Sequence, residues 1–564
     1  METEAHLRVK NVIRLYNRLY LHHVQEEEKR CDAVKKARES ETSKVKKNSK
    51  SRPSKKLKLS LKEVIVKRPS NRPDLKAMTE MKEKKIILYP IRKIGNLAGI
   101  EVGYKFYSRC EMVAVGFHQH WLSGIDYISK SYSKKEEYLE YPLPLAVCIV
   151  MSGQYEDDVD DSHDVVYTGQ GGNDGLGNKR QNGDQQMLRG NLALKNNMIF
   201  EKPVRVVRGH ACQGSFSGKV YTYDGLYKVV DQWAEKGNSG YTVFRYRLHR
   251  LENQSPLTTS QVLFTRSQVP GSIKEIRGLA VSDITQGLER ISIPATNVID
   301  DTLVGPLDFE YCHTLRVADN ITLPPIASGC KCKGSCTDPN VCACATLNGS
   351  DFPYVQRDGG RLIEAKGVVF ECGPNCGCDP NCLNRTSQKG LKYRLEVFKT
   401  PSKGWAVRSW DVIPSGAPVC EYTGILKKSC DVDNVKDNNY IFAIDCLETI
   451  KSLNGRKECN KGALKALLSN ASESDYCVDA GSVGNIARFI NHSCEPNLFV
   501  QCILSSHHDV SMARIVLFAA DLIPPLQELT YDYGYALDSV TGENGEIIKL
   551  DCFCGAPTCS KRLY

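Results

Sequence analysis

Nine cysteines in two short runs carry the clearest chemistry in this 564-residue chain: Cys330, Cys332, Cys336, Cys342 and Cys344, then Cys372, Cys376, Cys378 and Cys382. Thiolates spaced this tightly suit zinc held in closed structural sites. Nine sulfurs do not divide into separate sets of four. They do satisfy three tetrahedral zincs if three sulfurs bridge, because six terminal thiolates supply six bonds and three bridging thiolates supply the other six. A structural zinc contributes on the order of 10 kcal/mol to folding, enough to order a stretch with little apolar core. The CxCx3C and Cx3CxCx3C spacings are too regular for unrelated buried cysteines.

A third group closes the chain: Cys552, Cys554 and Cys559, in Cys-Phe-Cys-Gly-Ala-Pro-Thr-Cys. Three thiols leave a zinc one ligand short. Cys494, in Asn491-His492-Ser493-Cys494, is the best candidate for the fourth, and such a site would pin the tail over the Asn491 region.

Arg488-Phe489-Ile490-Asn491-His492-Ser493-Cys494, Glu528-Leu529-Thr530-Tyr531-Asp532-Tyr533-Gly534 and the cysteine tail together resemble the SET-domain lysine methyltransferases. The nine-cysteine group resembles their pre-SET module, and Lys403-Gly404-Trp405-Ala406-Val407-Arg408 their first cofactor-binding segment. The resemblance implies S-adenosylmethionine as methyl donor. It also implies a SET domain of small β-sheets in which the Asn-His segment crosses the Tyr-Asp-Tyr segment like a knot, an arrangement that chains rarely adopt. By resemblance Tyr533 is the catalytic tyrosine, Tyr440 orients the amine and also contacts cofactor, and Lys403, Gly404, Trp405, Arg488, Phe489, Asn491 and His492 are cofactor contacts. Tyr531 stands where the family has Phe or Tyr. A hydroxyl there narrows the pocket, so mono- and dimethylation are expected.

The chemistry has a physical requirement. The acceptor lysine must be neutral, and deprotonating it at pH 7 costs about 4.6 kcal/mol. A narrow apolar channel and a nearby sulfonium both disfavour the ammonium form. What remains is mostly alignment of amine, methyl and sulfur.

A second resemblance covers residues 86–251, which are similar to an SRA (YDG) domain. It is carried by Tyr223-Asp224-Gly225, by the segment from Gly153 to Asp160, by Tyr167-Thr168-Gly169-Gln170-Gly171-Gly172-Asn173 and by Arg189-Gly190-Asn191-Leu192-Ala193-Leu194. It implies recognition of methylated cytosine in double-stranded DNA. A base shows its methyl and its pairing edge together only outside the stack; flipping it costs a few kcal/mol, and aromatic stacking returns about 1–3. Tyr155 and Tyr167 match the stacking aromatics, Asp158 the carboxylate that accepts the cytosine amino hydrogen, and Thr168 lines the pocket. Two loops are expected to enter the duplex: Gly116–Gly124 with His118, Gln119 and Trp121, and Gly177–Asn182 with Asn178, Lys179 and Arg180.

The elements that must position these groups are mainly β with some α. Apolar residues Leu7, Val12, Leu15, Leu19 and Val24 predict a helix over 7–30. The Lys/Ser-rich stretch 35–58 reads as a disordered basic linker, with Lys46-Lys47 and Lys55-Lys56 resembling a nuclear import signal. Residues 1–85 hold a charge surplus of +13 within a total of +9. That arm suits import, loose nucleic-acid contact or simple solvation. Short β-rich runs separated by Gly and Asn/Asp turns over 86–251 predict a barrel-like SRA domain. A connecting region over 252–325 follows, then the pre-SET zinc cluster over 326–390, a knotted β-sheet SET domain over 391–540 and a zinc-binding post-SET tail over 548–564. No apolar run is long enough to span a bilayer, and no secretory signal is visible.

An SRA domain followed by pre-SET, SET and post-SET modules is, by resemblance, the plan of the plant SUVH family of histone H3 lysine-9 methyltransferases, nearest its kryptonite group. The resemblance implies a nuclear chromatin enzyme whose partners are the histone H3 tail, nucleosomes and DNA carrying methylated cytosine in a non-CG, CHG context, and which sustains gene silencing. The alternative is a non-catalytic methyl-DNA-binding scaffold. A methyltransferase acting on DNA would need a Pro-Cys nucleophile segment beside a Gly-rich cofactor motif, and that pairing is absent.

Overall fold

The computed structural model describes residues 2–48, 72–151, 159–173, 181–212, 218–257, 269–432, 439–445, 476–540 and 545–564, less positions 162, 301, 303 and 307. The chain forms two compact units, residues 1–17 with 77–269 and residues 18–76 with 270–564.

Helix α1 runs over Glu2–Asn48 and so continues into the stretch expected to be linker. Residues 35–48 contain neither proline nor glycine and are rich in helix formers, so nothing local stops the helix there. Residues 49–58 of the expected linker, with Lys55 and Lys56, lie outside the described residues. A second helix, α2 (Pro73–Glu83), follows.

Among the described residues of the first unit, eight strands form one sheet: β1 (Lys105–Phe106), β2 (Ile125–Ile128), β3 (Leu145–Met151), β4 (Val159–Asp161), β5 (Asp164–Thr168), β6 (Val204–Ala211), β7 (Lys219–Lys236) and β8 (Thr242–Arg250). The order is β2-β3-β6-β7-β8-β5-β4, with β1 added on β7. Strand β3 is apolar at every position and wholly buried, as expected for a strand covered on both faces. One side packs on Val9 of α1, Phe106, Phe117 and Tyr223; the other packs on Ala193 and Leu194 of helix α4 (Arg189–Ile199). Asn197 of α4 acts as a strand surrogate: its Oδ1 accepts from the Ala146 N–H at 2.7 Å and its Nδ2 donates to the Ala146 carbonyl at 2.9 Å. Helix α3 (Arg109–Ala114) is capped by Ser108, whose hydroxyl accepts from the Glu111 N–H.

The second unit is built on several small sheets around a main core, with a smaller cluster about Tyr354, Leu362 and Phe518 and another at the pre-SET cysteines. The expected connecting region is part of them. Strands β9 (Leu279–Val281) and β10 (Ala295–Thr296) extend the hairpin of Leu395–Lys399 and Trp405–Ser409; β11 (Glu310–Tyr311) pairs in parallel with Val483–Gly484; β12 (Arg316–Val317) pairs in parallel with Ile425–Lys428. These strands are two or three residues long, so sequence alternation could not reveal them. The sheet of Val369–Phe370, Leu498–Leu504, Arg514–Ala519 and Pro418–Glu421 completes the frame. Helix α1 packs here as well: Gln25 donates to the Phe352 carbonyl at 2.8 Å, and the Glu28 carboxylate accepts from the backbone of Gln356 and Arg357 at 2.9 Å each.

Candidate active site, thiol centres and base pocket

The nine thiols of the pre-SET region come together. Three overlapping sets have all their sulfurs within 4.8 Å of one another: Cys330, Cys336, Cys342 and Cys372; Cys330, Cys344, Cys372 and Cys376; Cys336, Cys372, Cys378 and Cys382. Cys330, Cys336 and Cys372 recur between sets and so are the sulfurs placed to bridge bound zincs. The ninth, Cys332, lies within hydrogen-bonding reach of the thiols of Cys330, Cys336 and Cys342, so these four would hold one zinc and leave Cys372 to bridge the other two. Sulfur separations of 3.7 Å for Cys330–Cys336, 3.8 Å for Cys336–Cys372 and 3.6 Å for Cys344–Cys376 match the spacing of about 3.8 Å that a tetrahedral zinc–thiolate centre requires. Backbone N–H groups of Cys330 and Cys336 and the Asn384 amide point at sulfurs of the cluster, as suits thiolates.

The tail thiols meet Cys494. Cys494, Cys552, Cys554 and Cys559 lie within 4.8 Å of one another, with Cys494 and Cys552 at 3.9 Å. Glu495, next to Cys494, accepts from both the backbone and hydroxyl of Thr558, at 3.1 and 2.6 Å, so the chain on either side of the quartet is also tied. Both thiol centres fit zinc in a structural role.

The tail thus lies beside the crossing of two segments. Asn491–His492 pairs in parallel with Thr530–Tyr531. The Tyr533 N–H donates to His492 Nδ1 at 3.2 Å, which leaves Nε2, 3.5 Å from the Cys494 sulfur, to carry the proton of the neutral ring. The Tyr533 hydroxyl donates to the Ile490 carbonyl at 3.0 Å. Around it the rings of Tyr531 (4.8 Å from Tyr533 between centroids), Phe442 (5.9 Å from Tyr531), Tyr422 (5.1 Å from Phe442), Tyr535 (6.4 Å from Tyr533) and Tyr564 (5.2 Å from Tyr535) form a continuous aromatic group. Burial raises the pKa of Tyr531, Tyr533 and Tyr422 well above that of a free phenol, so all three stay neutral at physiological pH. Tyr440 sits with its ring 4.1 Å from the Arg488 guanidinium, and its carbonyl accepts from the Tyr422 hydroxyl at 2.8 Å.

The expected cofactor residues are joined by one that sequence reading missed. The Glu528 carboxylate accepts from Lys403 Nζ at 2.7 and 2.6 Å and from Asn491 Nδ2 at 3.1 Å, while Asn491 also donates to the Trp405 carbonyl at 3.1 Å. Gly404 has a φ of +70°, which favours glycine, and the space that a side chain there would fill is open. Arg488 donates to the carbonyls of Ala480 and Gly481 and stacks also on Phe309 and Phe489, the latter buried. Phe309 comes from the connecting region and could not have been tied to Arg488 by spacing. Glu528 is the first residue of the quoted Glu528–Gly534 motif, though no role was given to it, and was the more accessible of the two omissions. These donors and the open backbone at Gly404 fit S-adenosylmethionine.

In the first unit Tyr167 and Thr168 are buried on β5, and a side chain at Gly124 would collide with the Tyr167 hydroxyl, so the loop 118–124 borders this site. Tyr155, Asp158, Asn178, Lys179 and Arg180 lie outside the described residues. The side chains expected to insert from this loop are held in different ways. His118 is fully buried, with Nε2 facing the Gly124 carbonyl at 3.4 Å beside Asp126. Gln119 is folded back, donating to the carbonyls of Tyr89 and Pro90 at 3.1 and 3.0 Å. Trp121 lies under the Lys82 ammonium at 4.2 Å. Arg109 donates to the carbonyls of His120 and Ser123 and clamps the loop, leaving Leu122, 80% exposed, at its tip. Asp224 of the Tyr-Asp-Gly motif is spent on a buried ion pair with Arg208.

Comparison with known proteins matches this organisation. The SAD/SRA domain family matches residues 93–254, the Pre-SET motif 285–385 and the SET domain 404–534. The H3 lysine-9-specific histone-lysine N-methyltransferase SUVH4 of Arabidopsis thaliana is 58% identical over 502 residues, covering 88% of this chain and 80% of that protein. A crystal structure of KRYPTONITE in complex with mCHG DNA and SAH is 51% identical with a TM-score of 0.79, and one with mCHH DNA, H3(1–15) peptide and SAH is 51% identical with a TM-score of 0.80; both cover 99% of each chain. With two domain families and the cysteine-rich module between them in the same order as these relatives, the chain belongs to the SUVH family of SRA–SET histone-lysine N-methyltransferases.

Proposed function

We propose that this chain methylates lysine 9 of histone H3, using S-adenosylmethionine, and is brought to nucleosomes by an SRA domain that binds methylated cytosine, in CHG context among others. The observation that carries the enzymatic reading is the aromatic group around Tyr533, set against the Asn491–His492 segment and closed by the Cys494–Cys552–Cys554–Cys559 quartet.

S-adenosylmethionine supplies an electrophilic methyl group on a sulfonium. Lys403, Gly404, Trp405, Arg488, Asn491 and His492 would hold it, with Phe489 packed behind Arg488 and with Glu528 fixing Lys403 and Asn491 relative to each other. The walls of Tyr422, Phe442, Tyr531 and Tyr533 exclude water and disfavour the charged form of an entering lysine. Tyr533 remains a neutral phenol, so it orients the amine as a dipole and does not take its proton. Tyr440, gripped by Arg488, lines the same approach. The Tyr531 hydroxyl takes up space that a third methyl would need, which favours mono- and dimethylation. Tyr155, Asp158, Tyr167 and Thr168 are proposed to form the base pocket, with Leu122 as the inserting side chain. Family membership and the basic arm of residues 1–85 support action on chromatin in the nucleus, where maintenance of heterochromatin, gene silencing and DNA methylation would follow.

The test is a radiolabelled methyl-transfer assay on H3 peptides, with Tyr533→Phe as control, run in parallel with binding to methylated and unmethylated duplexes. Transfer to lysine 9 that Tyr533→Phe abolishes is expected. Absence of transfer by a zinc-replete chain that still binds methylated DNA would leave only the scaffold.

A further inference from the structure

The row of residues behind the base pocket contains a buried cation. Arg245 on β8 stands opposite Thr168 on β5 and opposite Trp233 on β7. Its Nη1 donates to the Thr168 hydroxyl oxygen at 2.6 Å, and its Nε donates to Glu235 Oε1 at 2.8 Å. The other Glu235 oxygen accepts from Trp233 Nε1 at 2.7 Å. Thr168 and Arg245 are buried, whereas the Glu235 side chain is 43% exposed. A chain of charge-assisted bonds therefore runs from a surface carboxylate, through a buried guanidinium, to one threonine hydroxyl.

Holding an ion at this position is costly, and apolar side chains of the same volume would serve the sheet at least as well. The benefit lies in what the bond does to Thr168. A β-branched side chain has one χ1, so fixing Oγ1 also fixes the direction of Cγ2. A bond to a guanidinium is stronger than one between neutral partners and holds that single rotamer. An apolar contact, including one from a threonine methyl, is the way a protein reads a methyl group on a pyrimidine.

We infer that Arg245 is a positioning residue of the base pocket: by engaging the Thr168 hydroxyl it selects the rotamer that presents the Thr168 γ-methyl to the 5-methyl of a flipped cytosine. This rests on the reading above that the first unit binds methylated cytosine with Thr168 in its pocket.

The full chain is titrated with a duplex carrying one methylated cytosine and with the same duplex unmethylated, and the ratio of the two affinities is read alongside thermal stability. Thr168→Val carries a methyl at both γ positions, so no hydroxyl bond is needed to choose between them, and it is expected to keep the ratio. Thr168→Ser keeps the hydroxyl and is expected to lower the ratio about fourfold, the value of one buried methyl group. Arg245→Gln lowers the ratio to a similar extent in wild type but adds no further loss on a Thr168→Val background, a coupling that a purely structural arginine would not produce. Glu235→Gln, at the surface, gives a smaller loss of the same kind and serves if Arg245→Gln does not fold. The inference is overturned if Thr168→Val erases the preference while Thr168→Ser retains it, because the hydroxyl would then read the base. It is overturned equally if the Arg245 and Glu235 variants weaken both duplexes in parallel with the ratio unchanged. Failure of the wild-type chain to prefer the methylated duplex would remove the base-pocket reading itself, a distinct result.

Discussion

Glu528 grips Lys403 through both carboxylate oxygens, at 2.7 and 2.6 Å, across 125 residues of chain. The same carboxylate accepts from Asn491, so one side chain sets the spacing of the two segments proposed to hold the methyl donor. The pair is partly exposed, with 18% and 24% of the side chains accessible, and its importance lies in placement more than in stability. Glu528→Gln is expected to raise KM for S-adenosylmethionine about tenfold, the effect of weakening hydrogen bonds to a charged group, with a smaller change in kcat. Steady-state kinetics with each substrate varied in turn checks the split. A uniform fall in kcat with KM unchanged would count against this role.

Tyr531 faces Phe442 and Tyr533 in the aromatic group. Removing its hydroxyl with Tyr531→Phe is expected to shift the products from mono- and dimethyl lysine toward trimethyl lysine. Mass spectrometry of an H3 peptide after exhaustive reaction gives the distribution directly. An unchanged distribution would refute the assignment of Tyr531 as the residue that limits methylation.

The two thiol centres should fail differently. Cys372 belongs to all three overlapping sets of the pre-SET cluster, so Cys372→Ser is expected to release the whole cluster and unfold the second unit. Cys554→Ser should lose a single zinc and abolish methyl transfer, while binding of methylated DNA by the first unit is retained. Metal analysis of the purified variants, together with the two activities, separates the cases.

Leu122 and His118 lie four residues apart but should respond oppositely. Leu122→Ala is expected to weaken binding of a methylated duplex several-fold, as loss of an apolar wedge does, and to leave the melting temperature unchanged. His118→Ala should destabilise the first unit by about 2 kcal/mol or more through the cavity and the stranded partners it leaves. Thermal melts beside duplex titrations would show the crossover.

His118 also makes the first unit sensitive to acid. Burial, reinforced by the Arg109 charge, lowers its pKa from 6.5 to about 3, although Asp126 opposes this and His120 adds to it. Above pH 6.5 the ring is neutral in both folded and unfolded chains, and its contribution is complete. Between pH 6.5 and about 3 the unfolded chain binds the proton more readily, so stability falls as pH falls, by on the order of 3–5 kcal/mol across the window. Denaturant titrations at pH 7, 5.5 and 4.5 should show a gradient that is reduced in His118→Gln. An equal gradient in the variant would place the titrating group elsewhere.

Much of this molecule was legible because its chemistry is written in short spacings. Metal ligands two to six residues apart within a run can share an ion whatever the rest of the fold does, and so the Cys330–Cys344, Cys372–Cys382 and Cys552–Cys559 runs could be assigned from the chain alone. The Cys494 partner was reached by counting ligands. The motifs around Asn491 and Tyr533 identified the transferase, and those around Tyr167 and Tyr223 the SRA domain. Which side chains of the loop at 118–124 face outward was not legible in the chain. Its residue types suit DNA contact, but burial is a property of what packs around them, here Asp126, Arg109 and the Tyr89–Pro90 backbone.

By itself the sequence determined which residues could ligate zinc, which motifs could handle a methyl donor and a flipped base, and where the positive charge lies. Only the tertiary structure decided that Cys330, Cys336 and Cys372 are shared between thiol sets, that Glu528 joins Lys403 to Asn491, that Arg245 holds Thr168, and that four short strands within residues 279–317 join the SET frame. The reason is the range of the interactions. Ligand spacing and motif identity are local, whereas bridging, ion pairing and strand addition join residues from about ten to well over a hundred positions apart, and no local pattern encodes which distant partner fills a place.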